Sequence, residues 1–283
     1  MRLALAALCL LLPVEAFASS CYAFVENLRR DGIGVQYASL EHVSTKPREV
    51  TITYVAHSTF RIESEEGVII ATDFFGTAGR VKDADGNSTA IVPTVVTMNH
   101  AHETHWTAFP DERIPYVLRG WDHDGKGPAN HRLRVRDVTI RNVTTHLRGW
   151  GQPEQDGNSI FIFEVADLCI GHLGHLHHIL SEEQFAEVGR LDIIMAPVDG
   201  TFTLDLPGMI EMMKRMKARV VLPMHAFGTY SLEQFLVGMS DEFAVELNNG
   251  PSVTLSFATL PSEPTVMLLS TANAALEPSF NDD

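Results

Sequence analysis

The chain has 283 residues and a formal net charge of −15 at pH 7, with 45% hydrophobic and 20% charged residues. This balance is typical of a globular protein and excludes disorder, collagen and coiled coil as the main state. The acidic excess argues against a nucleic-acid partner, which would need a basic surface, and against an anionic membrane surface. The 13 histidines stand out, because histidine is the commonest metal ligand and a frequent acid–base group.

The N-terminus has the features of a secretory signal peptide. Arg2 provides a positive start, and residues 3–12 form an apolar run that is shorter than the roughly 20 residues a membrane span needs. Ala16-Phe17-Ala18 then matches the small-x-small pattern of a cleavage site. We therefore expect residues 1–18 to be removed on export, and the mature protein to be periplasmic or secreted with no membrane span.

Two cysteines remain after this cleavage. Cys21 lies in residues 19–47, which lack periodicity and are predicted to form an N-terminal arm, and Cys169 lies in an apolar run. An oxidising compartment would allow these two thiols to pair. The sequence leaves this disulfide open, because it does not show whether the two Cα atoms come within about 6 Å. A lipid anchor on Cys21 is the other alternative.

From residue 48 the chain changes to short apolar, β-branched runs. These runs predict strands at residues 50–55, 59–63, 68–73, 94–98, 116–118, 135–144, 159–165 and 168–171. Residues 76–90 are predicted to be a loop. In the second half, helices opening at Ser181 and over 206–217 and 231–239 alternate with strands at 192–196 and 220–222. We expect one α/β domain over residues 48–270 and a flexible tail over 271–283.

The strongest chemical signal is the segment Asn99-His100-Ala101-His102-Glu103-Thr104-His105-Trp106, which directly follows a predicted strand. Alternate residues leaving a strand point the same way, so His100 and His102 can share one ion while His105 faces a second. Later histidines also follow apolar strands, namely His146, those within residues 172–178, and His225. Ligands that converge from several strand ends are how a rigid β scaffold builds a metal site.

These motifs resemble the metallo-β-lactamase fold superfamily, in particular its ascorbate-phosphate lactonase-like and N-acyl-phosphatidylethanolamine phospholipase-like branch. The resemblance is carried, in the family's order, by Tyr54-Val55-Ala56-His57-Ser58-Thr59-Phe60, Asp73, the cluster from His100 to His105, Gly171-His172-Leu173-Gly174-His175, and Pro223-Met224-His225. It implies an αββα four-layer sandwich, with a metal site at the edge between the two sheets. It also implies hydrolysis by a metal-bound hydroxide.

The resemblance further implies two groups of metal ligands. These are His100, His102 and His146 for one ion, and His105, His175 and His225 for the other. Three residues would support the ligands from behind, namely His57, Asp73 and Thr104, with Asp73 orienting the histidine loop. His172, His177 and His178 stay open as substitutes for His175, and Asp199-Gly200 is either pocket lining or a turn.

Two positions depart from the family's pattern, because Thr104 and His175 stand where the family has aspartate. Two divalent ions about 3.5–4 Å apart repel strongly when only neutral imidazoles hold them. We therefore expect one tightly bound Zn²⁺ and a second that is weak or absent. The preferred set is His100, His102 and His146 with water in the fourth position, and the set of His105, His175 and His225 stays open.

The sequence therefore predicts an exported zinc-dependent hydrolase that cleaves an ester, lactone, amide or phosphodiester bond in a small-molecule substrate. The alternatives are a non-catalytic metal-binding protein (a pseudoenzyme), suggested by the two lost carboxylates, and a small-molecule binding module. The fold alone does not choose between them. Activity that a chelator removes and Zn²⁺ restores would distinguish the hydrolase.

Overall fold

A computed structural model describes residue 21 and residues 48–82, 85–102, 104–122, 127–149 and 152–272. The expected signal peptide lies outside the described residues. Of the expected arm and tail, Cys21 and residues 271–272 fall inside them. Within the part of the chain that is described, no helix is long and apolar enough to cross a membrane.

The secondary structure is mostly strand in the first half and mixed in the second. The strands are β1 (Val50–Ala56), β2 (Thr59–Ser64), β3 (Ile69–Ala71), β4 (Arg80–Lys82), β5 (Ser88–Ala90), β6 (Val95–Met98), β7 (Tyr116–Arg119), β8 (Arg132–Val135), β9 (Val138–Leu147), β10 (Glu154–Val165), β11 (Leu168–His172), β12 (Ile193–Pro197), β13 (Val220–Met224), β14 (Ala244–Leu247), β15 (Ser252–Leu255) and β16 (Thr265–Leu268). The helices are α1 (Glu182–Val188), α2 (Leu206–Met216) and α3 (Thr229–Met239).

Two mixed sheets form the body of the molecule. The first has the order β15-β1-β2-β3-β6-β7, and the second has the order β14-β16-β13-β12-β11-β10-β9-β8. In the first sheet, β1, β2 and β3 form the expected antiparallel meander, and β6 then pairs parallel to β3. In the second, β11, β12 and β13 run parallel to one another. Parallel neighbours end at the same edge, so the loops after these strands gather there.

Side chains of β10 alternate between two apolar cores. Phe161 and Phe163 face the core between the sheets, together with Ile62 of β2. Ile160 and Ile162 face the second core, which contains buried methionines of α2. This period-two alternation in a strand apolar on both faces is what a sheet covered on both sides requires. It builds the layers of the sandwich.

The described helices all contribute to the core on the outer side of the second sheet, so the expected α/β sandwich is confirmed. The helix opening at Ser181 is also confirmed, with a capping box between Ser181 and Gln184. The outer side of the first sheet is covered by loop residues, including Phe74 and Ile114.

The loop expected over residues 76–90 was a wrong prediction in part, because β4 and β5 form a small hairpin there. Every residue of both strands is exposed. Because neither face of this hairpin is buried, neither face needs apolar side chains. The sequence therefore lacks the alternation of apolar and polar residues that marks a half-buried strand.

The open question of the cysteines is decided by the structure. Cys21 and Cys169 form a disulfide with their Cα atoms 5.7 Å apart. The Cys21 carbonyl also accepts a hydrogen bond from the Arg190 backbone N–H at 2.7 Å. Residue 21 is therefore fixed to β11, the strand that leads into the histidine-rich loop.

Candidate metal centre

Histidines from both sheets meet where their strands end. His57 lies in the turn between β1 and β2, His105 follows β6, and His225 follows β13. The ring centroids of His57 and His225 are 4.2 Å apart, and those of His105 and His225 are 5.1 Å apart. All three rings are buried. These three rings thus meet at the edge between the two sheets, where the sequence predicts a metal site.

The backbone at this centre is held in an uncommon conformation. His57, Asp73 and His225 have φ of 51°, 47° and 56°, in the left-handed region that side chains other than glycine rarely adopt. The His57 carbonyl accepts hydrogen bonds from the His225 N–H at 3.0 Å and the Tyr54 hydroxyl at 2.6 Å. Strained conformations of this kind persist where the surroundings hold them, and they cluster at functional sites.

Two buried carboxylates fix the tautomers of two of these rings. Asp73 accepts a hydrogen bond from His105 Nδ1, and Asp199 Oδ2 accepts one from His225 Nδ1 at 3.0 Å. A neutral imidazole that donates through Nδ1 carries a lone pair on Nε2. The carboxylate–histidine pairing is the arrangement that orients histidine ligands at metal sites.

The two Nε2 atoms of His105 and His225 lie only 3.2 Å apart. Because each has a lone pair and neither has a proton to donate, they repel each other unless a cation lies between them. His57 Nε2 is buried and has no hydrogen-bond partner among the described residues. Ligand atoms of these three residues all lie within 4.8 Å of one another. The donors present therefore fit a metal ion that accepts imidazole nitrogen.

The protonation states favour metal binding. Burial and the neighbouring His225 and His105 lower the pKa of His57 to about 3. Burial, followed by His225, also places the pKa of His105 well below its usual value. Burial acts to raise the pKa of Asp199, but hydrogen bonds from His225 and Thr203 hold it below the usual range. The rings of His57 and His105 are thus neutral, as ligands must be, and Asp199 is a carboxylate.

His100 and His102 lie beside this group. His100 Nδ1 donates to the Gly157 carbonyl at 2.9 Å, which leaves a lone pair on its Nε2. Its ring centroid is 6.0 Å from that of His102 and 6.4 Å from that of His105. His102 is exposed, and its Nδ1 lies 3.0 Å from the Thr104 hydroxyl. Thr104 therefore contacts the His100–His102 pair through His102.

The other two predicted ligands differ in placement. The ring of His175 lies among the cluster, with its centroid 4.7 Å from that of His105 and 5.3 Å from those of His100 and His225. His146 pairs instead with His178, at 5.8 Å, and its Nδ1 accepts the Asp156 N–H. Among the ring contacts of the described residues, none joins His146 to His100 or His102.

The substitutes considered for His175 have other partners. His172 is fully buried, and its Nε2 donates to the Ser58 carbonyl at 2.7 Å while its Nδ1 accepts the Gly174 N–H. Both of its ring nitrogens are therefore used to brace the turn after β1 against the loop after β11. His177 bonds to His175, and His178 lies against His146.

Two residues make contacts at this centre that the sequence did not predict, namely His57 and Asp199. His57 was expected to support the ligands from behind, yet its free nitrogen lies inside the three-histidine group. Asp199 was left as pocket lining or a turn, and it is both the turn residue and the acceptor for His225. Its place directly after the buried strand β12 is the one sequence signal for this role.

Aromatic rings form one side of the centre. The Phe227 ring centroid is 4.8 Å from that of His225 and 5.7 Å from that of His57. Phe202 packs edge-on against Phe227 at 5.5 Å and is 60% exposed. This side of the centre is therefore apolar, and its outer ring, Phe202, lies at the surface.

Comparisons with known proteins agree with this geometry. Residues 51–225 match the family model described as a beta-lactamase superfamily domain, so the chain belongs to this family. A metal-dependent hydrolase from Salinibacter ruber is 23% identical over 68% of this chain and 91% of the relative. A crystal structure from Thermotoga maritima, described as a Zn-dependent hydrolase of the metallo-beta-lactamase superfamily, superposes with TM-score 0.55 and 25% identity. It covers 78% of this chain and 99% of that one.

A metallo hydrolase from Ignicoccus hospitalis shares the fold at TM-score 0.52 and 20% identity, covering 74% of this chain and 99% of that one. The family match, these relatives and the three-histidine site define the class: the chain is a metal-dependent hydrolase with the metallo-β-lactamase fold. The resemblance expected from the sequence is confirmed.

Proposed function

We propose that this hydrolase uses one Zn²⁺, held by His57, His105 and His225, to cleave an ester, lactone, amide or phosphodiester bond in a small-molecule substrate. One observation carries this assignment: the Nε2 atoms of His105 and His225, both lone-pair donors, lie 3.2 Å apart. Three imidazoles with an open fourth position bring the pKa of a zinc-bound water to about 7. This set takes the place of the expected set of His100, His102 and His146.

Charge balance supports one tightly held ion. Asp73 accepts a hydrogen bond from His105, and Asp199 accepts one from His225. Each carboxylate would therefore lie directly behind a proposed ligand of the ion. Together they offset the charge of one dication. Among the described residues, no carboxylate is hydrogen-bonded to His100 or His102: His100 Nδ1 bonds to the Gly157 carbonyl, and His102 Nδ1 lies 3.0 Å from the Thr104 hydroxyl. We therefore propose that a second ion binds weakly.

Metal analysis and a chelation assay test the assignment. We expect about one equivalent of zinc in purified protein, lost in His225→Gln and kept in His178→Gln, whose ring is not among the proposed ligands. Chromogenic esters and phosphodiesters should be hydrolysed, and a chelator should stop turnover until Zn²⁺ is restored. Zinc retained by His225→Gln would refute the ligand set. Tight zinc without any turnover would favour the non-catalytic alternative.

The metal count has a separate test in Thr104→Asp. Thr104 lies 3.0 Å from His102 Nδ1, so a carboxylate here adds a donor and a negative charge beside the His100–His102 pair. We expect the variant to hold a second equivalent of zinc through dialysis. Two equivalents that survive dialysis in the unchanged protein would show that imidazoles alone support the second ion.

We also propose that the chain acts outside the cytoplasm, in the periplasm or after secretion. The buried Cys21–Cys169 disulfide supports this proposal, because such bonds persist in oxidising compartments. The net charge of −15 favours small molecules over nucleic acid as substrates. Mass spectrometry of the mature protein should find an N-terminus at Ser19, and an intact N-terminus would contradict export.

A further inference from the structure

His175 lies at the end of a series of hydrogen bonds that begins at Arg148, the residue directly after β9. The backbone N–H of Arg148 donates to His177 Nδ1 at 2.8 Å. His177 Nε2 in turn lies 2.7 Å from His175 Nδ1. Arg148 itself is held by the carbonyls of Thr201 and Thr203, which its guanidinium contacts at 2.9 and 2.6 Å. The turn over residues 199–203 therefore holds Arg148, the first donor of this series of hydrogen bonds, and the same turn also binds His225.

Only one direction of proton donation satisfies this chain. A backbone N–H can only donate, so His177 Nδ1 must accept. Neutral His177 then carries its proton on Nε2 and donates it to His175 Nδ1. Neutral His175 must consequently carry its own proton on Nε2. Because His175 Nδ1 accepts this bond, the ring carries only one proton.

This tautomer is the opposite of that of His105 and His225. Those rings donate through Nδ1 to carboxylates and keep a lone pair on Nε2, whereas His175 accepts at Nδ1 and keeps an N–H on Nε2. A nitrogen that carries a proton does not bind a metal ion. The His175 ring nevertheless lies 4.7 to 5.3 Å, between centroids, from His105, His100 and His225.

We propose that His175 is not a metal ligand but a fixed N–H donor at the centre, which binds an oxygen of the substrate through Nε2. The group it would take is a carbonyl or phosphoryl oxygen on which negative charge develops during hydrolysis. This inference rests on the proposed metal set of His57, His105 and His225. It also gives a reason for the departure from aspartate, since a carboxylate accepts hydrogen bonds and an imidazole N–H donates one.

The tautomer itself is open to measurement. Two-bond ¹H–¹⁵N correlation spectra of the zinc-loaded protein should show His175 protonated at Nε2. His177→Glu should reverse this state, because a carboxylate accepts both from Arg148 N–H and from His175 Nδ1. His178→Gln changes the neighbouring residue and leaves the chain of hydrogen bonds intact, so it should keep the original tautomer. Wild-type His175 with a bare Nε2 would overturn the proposal.

Anion binding and metal content test the role. Inorganic phosphate serves as the probe, titrated calorimetrically into zinc-loaded protein. His175→Leu should keep one equivalent of zinc but weaken phosphate binding about tenfold, as expected for one lost hydrogen bond to a charged group. His175→Gln retains an N–H donor and should restore most of the affinity. Near-ultraviolet circular dichroism checks that both variants are folded.

The zinc content of the two variants distinguishes an error in the role of His175 from an error in the proposed metal set. Zinc lost from His175→Leu, with zinc also lost from His225→Gln, would make His175 a ligand and refute only this inference. Zinc retained by His225→Gln would refute the proposed metal set instead. Equal phosphate affinity in His175→Leu and wild type would show that His175 makes no contact with the bound anion.

Discussion

Asp199 uses its two carboxylate oxygens for different tasks. Oδ1 accepts the backbone N–H groups of Thr201, Phe202 and Thr203 at 2.8, 2.6 and 3.1 Å. Oδ2 accepts His225 Nδ1 at 3.0 Å and the Thr203 hydroxyl at 2.6 Å. One residue thus folds the turn after β12 and sets the tautomer of a proposed ligand on the next strand.

Asp199→Asn separates these tasks. The amide oxygen can keep the turn, but an amide NH₂ at the position of Oδ2 donates to His225 Nδ1 and moves the ring's proton to Nε2. We expect zinc affinity to fall by about 10–100-fold, the usual effect of losing such a partner. Competition with a chromogenic chelator measures it. Asp241→Asn, at an exposed ion pair with Lys214, is the control and should bind zinc like the unchanged protein.

The histidines show how far a sequence can predict a site. The spacing of His100, His102 and His105 after an apolar strand predicts a metal centre there, and His105 lies in the three-histidine group that could hold an ion. Which rings have a lone pair facing the ion depends on partners distant in sequence, such as Asp73 for His105 and Asp199 for His225. No local pattern encodes such pairs, so the sequence alone does not predict these contacts.

In the loop after β11, Gly174 packs closely against the side chains of Asn158 and Asn99. A Cβ on Gly174 would lie 2.5 Å from Asn158 Oδ1 and 2.6 Å from Asn99 Cβ, and φ there is +61°. Asn158 Oδ1 also accepts the backbone N–H of His175 at 2.8 Å. A side chain at this position would therefore displace the residue that positions His175.

Gly174→Ala should destabilise the protein for two reasons. Forced contacts cost about 1–3 kcal/mol, and the left-handed backbone adds roughly 1 kcal/mol more. Urea unfolding should show the combined loss. Gly86→Ala is the matched control: its φ is +83° but nothing lies within 4 Å of its Cβ, so only the smaller loss is expected. Equal losses in the two variants would mean that Asn99 and Asn158 move aside freely.

The longer apolar runs were predicted as strands, whereas the short strands near the C-terminus were missed. The meander of β1, β2 and β3 and the buried strands β11 to β13 follow from their apolar runs. The sequence analysis placed no strand after residue 239, yet β14, β15 and β16 lie there. They are four residues each, and β14 has no buried residue. β16 is mostly buried, but a run of four residues is too short to show a period, so such strands are defined by their pairing partners.

For the whole molecule, the disulfide joins residues 148 apart in sequence and ties residue 21 to β11. Cys169→Ser should lower the free energy of unfolding by about 2–4 kcal/mol, because the open chain gains entropy when unfolded. Reduction with dithiothreitol should have a similar effect on the unchanged protein and none on the variant. An unchanged midpoint in both would show that the bond does not stabilise the fold.

The buried histidines make the metal-free protein sensitive to acid. Burial, with neighbouring charges, lowers the pKa of His57 to about 3 and that of His177 to about 4, and burial also lowers the pKa of His100 and His172. In the unfolded chain these groups take up a proton near their usual pKa of about 6.5. Between the two pKa values the unfolded chain binds more protons, so stability is complete above about pH 6.5 and falls as the pH falls.

We therefore expect the metal-free protein to lose more than about 1.4 kcal/mol of stability per pH unit between about pH 6 and 5, since several groups each contribute up to that slope. Asp73 and Asp192 oppose this trend, because burial raises the pKa of each above its usual value. They are two groups against at least four, so the net stability still falls as the pH falls. Urea unfolding at each pH, with and without zinc, measures the effect. Zinc should delay the loss until protons displace it from the histidines. A stability independent of pH would instead mean that the buried rings take up protons in the folded protein as readily as in the unfolded chain.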